Sequence, residues 1–157
     1  METRHIEIEY CEYRDRDELP PEDAILLARA EEMTGASYAP YSGFHVGAAV
    51  RMSGGGVFGG SNQENAAYPS GLCAERVALY YAAAHCPGEE VEAVAVAAEC
   101  GGKPAEGIPS PCGACRQALM QYEVRSGRPV KVILGAPGRI LVFRSVADLL
   151  PLHFECI

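Results

Sequence analysis

The sequence predicts an α/β fold with three layers, α/β/α, in which a mixed sheet of five strands lies between helices. Apolar runs of strand length and amphipathic segments of helix length follow one another along the 157 residues. Their predicted order is α-β-β-α-β-α-β-β, so tight turns join some strands and helices join others. Segments rich in glycine and proline separate these elements. Together these observations indicate a sheet with both parallel and antiparallel pairs.

An N-terminal extension, residues 1–20, precedes the predicted single domain, residues 21–157. Ile6, Ile8 and Tyr10 alternate with charged residues in this extension. A period of two is typical of a β-strand. We therefore treat the extension as a possible extra strand beside the domain.

The first part of the domain is predicted to contain one helix and a hairpin. Two prolines followed by two acidic residues predict a helix start near residue 20, and the helical pattern continues to about Met33. Strands are predicted at 44–52 and 57–60, and the glycine-rich turn 53–56 joins them into the hairpin.

The second part of the domain alternates helices with strands. The predicted elements are a helix at 73–85, a buried strand at 91–98, a loop at 101–109, a helix at 113–126, strands at 130–134 and 139–143, and a short helix at 146–149. This alternation favours helices on both faces of the sheet.

Composition and charge exclude several classes of function. Hydrophobic residues make up 48% of the chain and charged residues 22%, which is typical of a globular domain. No run reaches the roughly 18 apolar residues of a membrane span, and the first residues lack the apolar core of a signal peptide. The net charge is −8, with 13 basic residues scattered among 21 acidic ones. Nucleic-acid binding depends on clustered Lys and Arg, so we expect no nucleic acid and no membrane as partners, and instead a small neutral substrate.

The cysteines indicate a reduced compartment. The chain has seven, three of which have metal-like spacing. The other four, Cys11, Cys86, Cys100 and Cys156, show no framework of disulfides. We therefore predict a cytoplasmic location.

Two short motifs contain the residues of a catalytic zinc site. They are Cys73-Ala74-Glu75 and Pro111-Cys112-Gly113-Ala114-Cys115. Catalytic zinc keeps one coordination position open for water, whereas structural zinc usually has four protein ligands. If a helix starts near Cys112, the Cβ atoms of Cys112 and Cys115 lie about 5–6 Å apart. Their sulfurs can then share one ion. Helix N-termini also lower thiol pKa values, and Glu75 lies two residues beyond the first thiol.

Other interpretations of these residues remain open at this stage. The three cysteines can be buried apolar residues, or ligands of a structural metal completed by Cys100 or His85. Glu75 can be a carboxylate that stabilises a helix N-terminus. Asn62 and Glu64 follow a strand, where turn and cap chemistry is common.

The motifs resemble those of the small, three-cysteine, zinc-dependent cytidine deaminases. The first reads C-A-E-R, with Cys73 where many relatives have histidine, and the second reads P-C-x-x-C. The resemblance extends to Pro40–Ala49, Ser61–Tyr68 and Leu149–Pro151, and it covers roughly residues 22–154. The chemistry of zinc deaminases in general is known and includes the all-cysteine variant.

The resemblance implies roles at the metal. Cys73, Cys112 and Cys115 bind Zn²⁺, and Glu75 acts as general acid and base. Zn²⁺ with three thiolates has a net charge of −1, which weakens its effect on a bound water. A guanidinium that donates hydrogen bonds to the thiolates offsets that charge, and the resemblance assigns this role to Arg76.

The resemblance also implies roles in substrate binding. Asn62 and Glu64 bind the ribose hydroxyls, and Phe44 contacts the pyrimidine ring. Phe154 resembles a C-terminal aromatic residue that closes the site of a neighbouring subunit in a homotetramer. Further positions near the substrate match Ala66, Tyr68 and Ala74.

The expected function is hydrolytic deamination of cytidine and 2′-deoxycytidine in pyrimidine salvage. The nearest alternative is deamination of another cytosine-like compound, such as blasticidin S, a free base or a tRNA base. The ribose segment at Asn62 and Glu64 disfavours a free base, and the acidic charge disfavours tRNA. The more distant alternative is a binding module stabilised by zinc with four protein ligands.

Overall fold

The computed structural model describes residues 1–154 and has the predicted α/β class, with helices on both faces of one mixed sheet. The helices are α1 (Pro21–Met33), α2 (Ala74–His85) and α3 (Gly113–Ser126). The strands are β1 (Cys11–Tyr13), β2 (Phe44–Met52), β3 (Val57–Ser61), β4 (Val91–Cys100), β5 (Lys103–Pro104), β6 (Lys131–Ala136) and β7 (Arg139–Phe143). The short helix predicted near the C-terminus is a single 3₁₀ turn, Val146–Asp148.

The sheet has the order β1-β7-β6-β4-β2-β3, and β5 pairs with β4 alone. Strands β4 and β6 are parallel, because α3 connects them across one face, and the other pairs are antiparallel. Strand β4 is central and buried along most of its length. Its apolar run at 93–98 is typical of a strand that is buried on both faces.

The sheet within residues 1–154 has seven strands, so the prediction of five is wrong. The five predicted strands are present, and the two additional ones are β1 and β5. Strand β5 forms because Gly101 and Gly102 have φ angles of +62° and +75°, which turn the chain back onto the end of β4.

The strand of the N-terminal extension, β1, lies after the alternating residues Ile6, Ile8 and Tyr10 and not within them. Strand β1 covers only Cys11–Tyr13 and pairs antiparallel with β7. Ile6 and Ile8 lie before it and are 58% and 48% exposed. Alternation predicted a strand there, but within residues 1–154 no neighbouring strand pairs with these two positions.

The core has two parts, one on each face of the sheet. Helix α1 packs on one face, where Leu26, Leu27 and Ala30 contact small and branched residues such as Ala95 and Ile133. Helices α2 and α3 pack on the other face. No helix in residues 1–154 is long and apolar enough to cross a membrane.

Two glycines let the helices approach the hairpin closely. A Cβ at Gly60 would lie 2.4 Å from the backbone nitrogen of Ala78 and 2.9 Å from the carbonyl oxygen of Ala74. On the paired strand, a Cβ at Gly47 would lie 2.0 Å from the carbonyl oxygen of Ala30. The first turn of α2 therefore rests directly on β3, and this contact fixes the position of the helix start that contains Cys73 and Glu75.

Candidate active site

The three cysteines of the metal motifs lie at the starts of two helices, as predicted. Cys73 is the N-cap residue of α2 and Cys112 the N-cap residue of α3, both with extended backbone angles. Cys115 lies in the first turn of α3 and is fully buried. The positive ends of two helix dipoles therefore point towards the same group of thiols, which favours their ionised form.

The sulfur positions fit one tetrahedral metal ion. The three Sγ atoms all lie within 4.8 Å of one another, and those of Cys73 and Cys112 are 3.8 Å apart. Zn–S bonds of 2.3 Å at tetrahedral angles place two sulfurs about 3.8 Å apart. The donor set and its spacing are therefore those of a zinc centre with three protein ligands.

Neither alternative fourth ligand belongs to the metal-binding group of residues 1–154. His85 packs against Tyr81, with ring centroids 4.4 Å apart. Cys100 ends β4, where it pairs with Phe44. Among residues 1–154, the metal-binding group contains only Cys73, Cys112 and Cys115. The described part of the chain therefore supports an open site and not a closed one.

The pKa values of Cys73 and Cys115 are shifted in opposite directions. A hydrogen bond from Cys115, together with those from Arg76 and Cys112, lowers the pKa of Cys73 to about 5 in spite of its partial burial. The same hydrogen bond, followed by burial, raises the pKa of Cys115. Binding of a metal cation by all three sulfurs releases the remaining protons.

Arg76 supplies positive charge directly to the sulfurs. Its Nη2 lies 3.7 Å from the Sγ of Cys73, and hydrogen bonding to Cys73 raises the already high pKa of the guanidinium. Its Nε is buried and has no hydrogen-bond partner among the described residues. A buried N–H group without a partner is costly, and anionic sulfur in contact with the same guanidinium offsets part of that cost. This orphaned donor also fits a centre of metal-bound thiolates.

Glu75 is a buried carboxyl beside the metal centre. It is 4% exposed. Burial, followed by the negative charge of Cys73, raises its pKa, although a hydrogen bond from Cys115 acts in the opposite direction. A raised pKa makes the carboxylate a stronger base, which suits a group that accepts a proton and later releases it, as general acid–base catalysis requires.

A cavity of about 300 Å³ adjoins the thiols and is called the site cavity below. Seven of the predicted site residues line it: Phe44, Asn62, Glu64, Cys73, Ala74, Glu75 and Cys112. Its other lining residues are Ser42, Val46, Val96, Pro109 and Ser110. The fold thus brings together residues from β2 and the loop before it, the loop after β3, β4, the start of α2 and the loop before α3.

Asn62 is held by the backbone of β2. Its Nδ2 donates to the carbonyl oxygen of Phe44 at 2.9 Å, and its Oδ1 accepts from the backbone N–H of Val46 at 2.8 Å. The hydroxyl of Ser37 donates to the same Oδ1 at 2.5 Å. The amide is therefore fixed in place, with one N–H remaining for another acceptor.

Glu64 is held by the loop before β2. Its carboxylate accepts from the backbone N–H of Tyr41 at 2.9 Å and from the hydroxyl of Ser42 at 2.5 Å. These bonds lower the pKa of Glu64, and the bond from Ser42 has the largest effect. Both residues thus make the local hydrogen bonds that the turn-and-cap interpretation expects. Both also line the site cavity, which is compatible with a role in binding.

Three predicted substrate residues lie outside the site cavity. Tyr68 is 78% exposed and lines a neighbouring cavity of about 510 Å³, which also contacts Asn62 and Glu64. Ala66 is exposed and lines neither cavity. Phe154 is 77% exposed and lines neither, so its predicted role depends on a neighbouring subunit.

Sequence reasoning missed the residues that support the site. Ser42 lies within the Pro40–Ala49 segment that carries the resemblance, and a serine two residues before a strand was the available signal. Val46 and Val96 occupy strand positions, where the period of two indicates burial without identifying a cavity. Arg116 donates hydrogen bonds to the loop before α3 and to Leu149. No sequence pattern predicts this role, because its partners are distant in sequence or are backbone atoms.

Comparison with known proteins agrees with this geometry. The family model described as "Cytidine and deoxycytidylate deaminase zinc-binding region" matches residues 21–128, which include all three cysteines and Glu75. The chain belongs to this family. Among curated members, the cytidine deaminase of Halalkalibacterium halodurans is 38% identical over 128 residues, which are 81% of this chain and 89% of the relative. That of Mycobacterium tuberculosis is 33% identical over 130 residues, which are 81% of this chain and 85% of the relative.

Solved structures of family members share the fold. The crystal structure of cytidine deaminase from Burkholderia pseudomallei is 41% identical, with a TM-score of 0.71 over 83% of this chain and 97% of that one. The structure of the Mycobacterium tuberculosis enzyme is 32% identical, with a TM-score of 0.66 over 84% of this chain and 96% of that one. The matched part of this chain therefore spans nearly the whole length of both solved relatives.

Proposed function

We propose that this protein catalyses the hydrolytic deamination of cytidine and 2′-deoxycytidine to uridine and 2′-deoxyuridine, with release of ammonia. The observation that carries the proposal is the open group of three thiols within 4.8 Å of one another, of which Cys73 and Cys112 line the site cavity together with buried Glu75. Relatives named cytidine deaminase match more than four-fifths of the chain.

Glu75 is the proton carrier of the proposed mechanism. Zn²⁺ bound by the three thiolates supplies Lewis-acid activation of water. Glu75 accepts a proton from the water that attacks C4 of the ring and delivers it to N3. It then carries the second water proton to the departing amino group, so cytidine and water become uridine and ammonia. Burial and the raised pKa of Glu75 suit this double role.

The other lining residues hold the nucleoside. The fixed amide of Asn62 and the carboxylate of Glu64 bind the sugar hydroxyls, and Phe44 packs against the pyrimidine ring. The backbone of Ala74 contacts the base. Since Asn62 and Glu64 are already oriented by hydrogen bonds, little conformational entropy is lost when a substrate binds.

Arg76→Gln tests the charge balance of the centre. We expect the variant to retain zinc and to lose about 10–100-fold in kcat, because the uncompensated thiolates weaken activation of water. The measurements are the zinc-to-protein ratio and the kcat for cytidine. Arg139→Gln is the matched control, since Arg139 is a half-exposed arginine on β7 that pairs with Glu12. If Arg76→Gln had the same kcat as the wild type, Arg76 would have no role in offsetting the thiolate charge.

A substrate panel tests the proposed function. Absorbance-monitored turnover is measured for cytidine, 2′-deoxycytidine, cytosine, blasticidin S and 2′-deoxycytidine 5′-phosphate, with and without a chelator. We expect the two nucleosides to react and the chelator to abolish the reaction. The phosphate ester should react poorly, because Glu64 and the net charge of −8 oppose a further anion. Turnover of blasticidin S alone would support the alternative, and full activity after complete zinc removal would refute the mechanism.

We propose a homotetramer that acts in cytoplasmic pyrimidine salvage. All six cysteines within residues 1–154 are free thiols, which supports a reduced compartment. The exposed ring of Phe154 supports a contact with a neighbouring subunit. Sedimentation at micromolar concentration is expected to show a tetramer, and a monomer with full activity would remove both the assembly and the role of Phe154.

A further inference from the structure

Arg116 uses its whole guanidinium to join the loop before α3 to the C-terminal segment. Its Nε donates to the carbonyl oxygen of Pro111 at 2.8 Å, and its Nη2 donates to the hydroxyl of Ser110 at 2.8 Å. Its Nη1 donates to the carbonyl oxygen of Leu149 at 2.7 Å. All three nitrogens therefore have an acceptor at good distance.

The loop that Arg116 holds is one wall of the site cavity. Pro109, Ser110 and Cys112 line this cavity together with Glu75. Pro109 is buried, whereas Ser110 is exposed, and both line the cavity. Displacement of Pro111 would move the neighbouring Cys112 and the wall that faces a substrate. Small errors of position are costly in catalysis, because the reacting atoms must be held within a narrow range of geometries.

The shape of the guanidinium explains why this position suits arginine. A planar fork with five N–H donors can serve three fixed acceptors at once. A lysine ammonium is a flexible point charge and cannot reproduce both edges of that fork. The hydroxyl of Ser110, which accepts from Arg116, keeps its own proton free to donate to another acceptor.

We propose that Arg116 is a positioning residue that holds the Ser110–Cys112 wall in its reactive geometry and ties it to the C-terminal segment at Leu149. The inference rests on the proposed function, since the wall matters only if a substrate reacts in the site cavity. Arg116 acts through Ser110 and Pro111 and differs in this respect from Arg76, which contacts a thiol directly.

The test compares Arg116→Met, Arg116→Lys and wild type. We expect Arg116→Met to keep its zinc and to lose about 10–100-fold in kcat, while KM changes by less than about threefold. The affinity for a hydrated-pyrimidine nucleoside, which mimics the transition state, should fall in parallel with kcat. Arg116→Lys should recover only part of the loss. The matched control is Arg125→Met, since Arg125 is an exposed arginine of α3 whose guanidinium lies over Tyr122.

A double-mutant cycle with Ser110→Ala keeps the test decisive if Arg116→Met folds poorly. Ser110 is exposed, so its replacement should leave the fold intact and lower kcat by about 3–10-fold through the lost acceptor. In the Arg116→Lys background the same change should have a smaller effect, because the two residues act as a unit.

Several outcomes would overturn the inference. They are unchanged kcat in Arg116→Met, full activity in Arg116→Lys, loss of zinc in parallel with activity, or additive effects in the cycle. A wild type inactive on the whole substrate panel would instead refute the proposed function, so the two failures are distinguishable.

Discussion

Replacement of Glu75 by glutamine is expected to lower kcat for cytidine by about 10²–10⁴-fold, since the only group proposed to move protons is lost. Glutamine has nearly the same size, so the buried position stays filled. The change also removes a negative charge that raises the pKa of Cys115. Zinc binding should therefore be retained or strengthened, and the loss should appear in kcat and not in metal content.

The experiment measures turnover and the zinc-to-protein ratio on the same preparations. Glu106→Gln is the matched control, because Glu106 is exposed in the loop after β5 and the change in charge is the same. Its kcat should remain within about twofold of the wild type. Near-normal turnover of Glu75→Gln would eliminate the proposed acid–base role, whatever the metal content.

Replacement of Cys115 by alanine is expected to abolish both zinc binding and activity. Cys115 is fully buried, and its Sγ is one of three that lie within 4.8 Å of one another. Two remaining thiols bind zinc far more weakly than three, and without the ion water is not activated. We expect activity to fall by at least about 10³-fold and the melting temperature to fall as well, since a metal bound only by the folded state stabilises it.

Cys11→Ala is the control for this prediction. Cys11 is an exposed, free thiol of β1, so its loss should change neither the zinc content nor the melting temperature appreciably. The measurements are metal analysis, thermal unfolding with and without chelator, and turnover. A Cys115→Ala protein with a full complement of zinc would show that the metal is bound elsewhere.

Local spacing predicted where the residues of each motif lie on their helices, for a physical reason. Cys112 and Cys115 are three residues apart, and Glu75 is two residues beyond Cys73. Helical geometry sets the distances within each motif and needs no distant contact. The predicted helix starts, at residues 73 and 113, agree within one residue with those of the structure, Ala74 and Gly113.

Periodicity predicted the main strands but not the ends of the sheet. The five longer strands are where apolar patterns indicated them, because each buries side chains in the core. Strands β1 and β5 have only three and two residues. Strand β1 exists because β7 offers a free edge, and β5 exists because the last residues of β4 extend beyond its pairing with β6. A pattern in the sequence does not report which edge is available, so Ile6 and Ile8 were assigned to a strand that lies further along the chain.

The sequence by itself determined the class of fold and predicted that three cysteines and an acid lie at the starts of two helices, since these depend on hydrophobic period and on spacing within single helix turns. Only the tertiary structure decided that Cys73 meets Cys112, 39 residues away, because this contact depends on how α2 and α3 pack on the sheet. It also decided that Arg116 reaches Leu149, 33 residues away. Contacts of this kind follow from sheet register and close helix packing, as at Gly60, and spacing along the chain does not encode them locally.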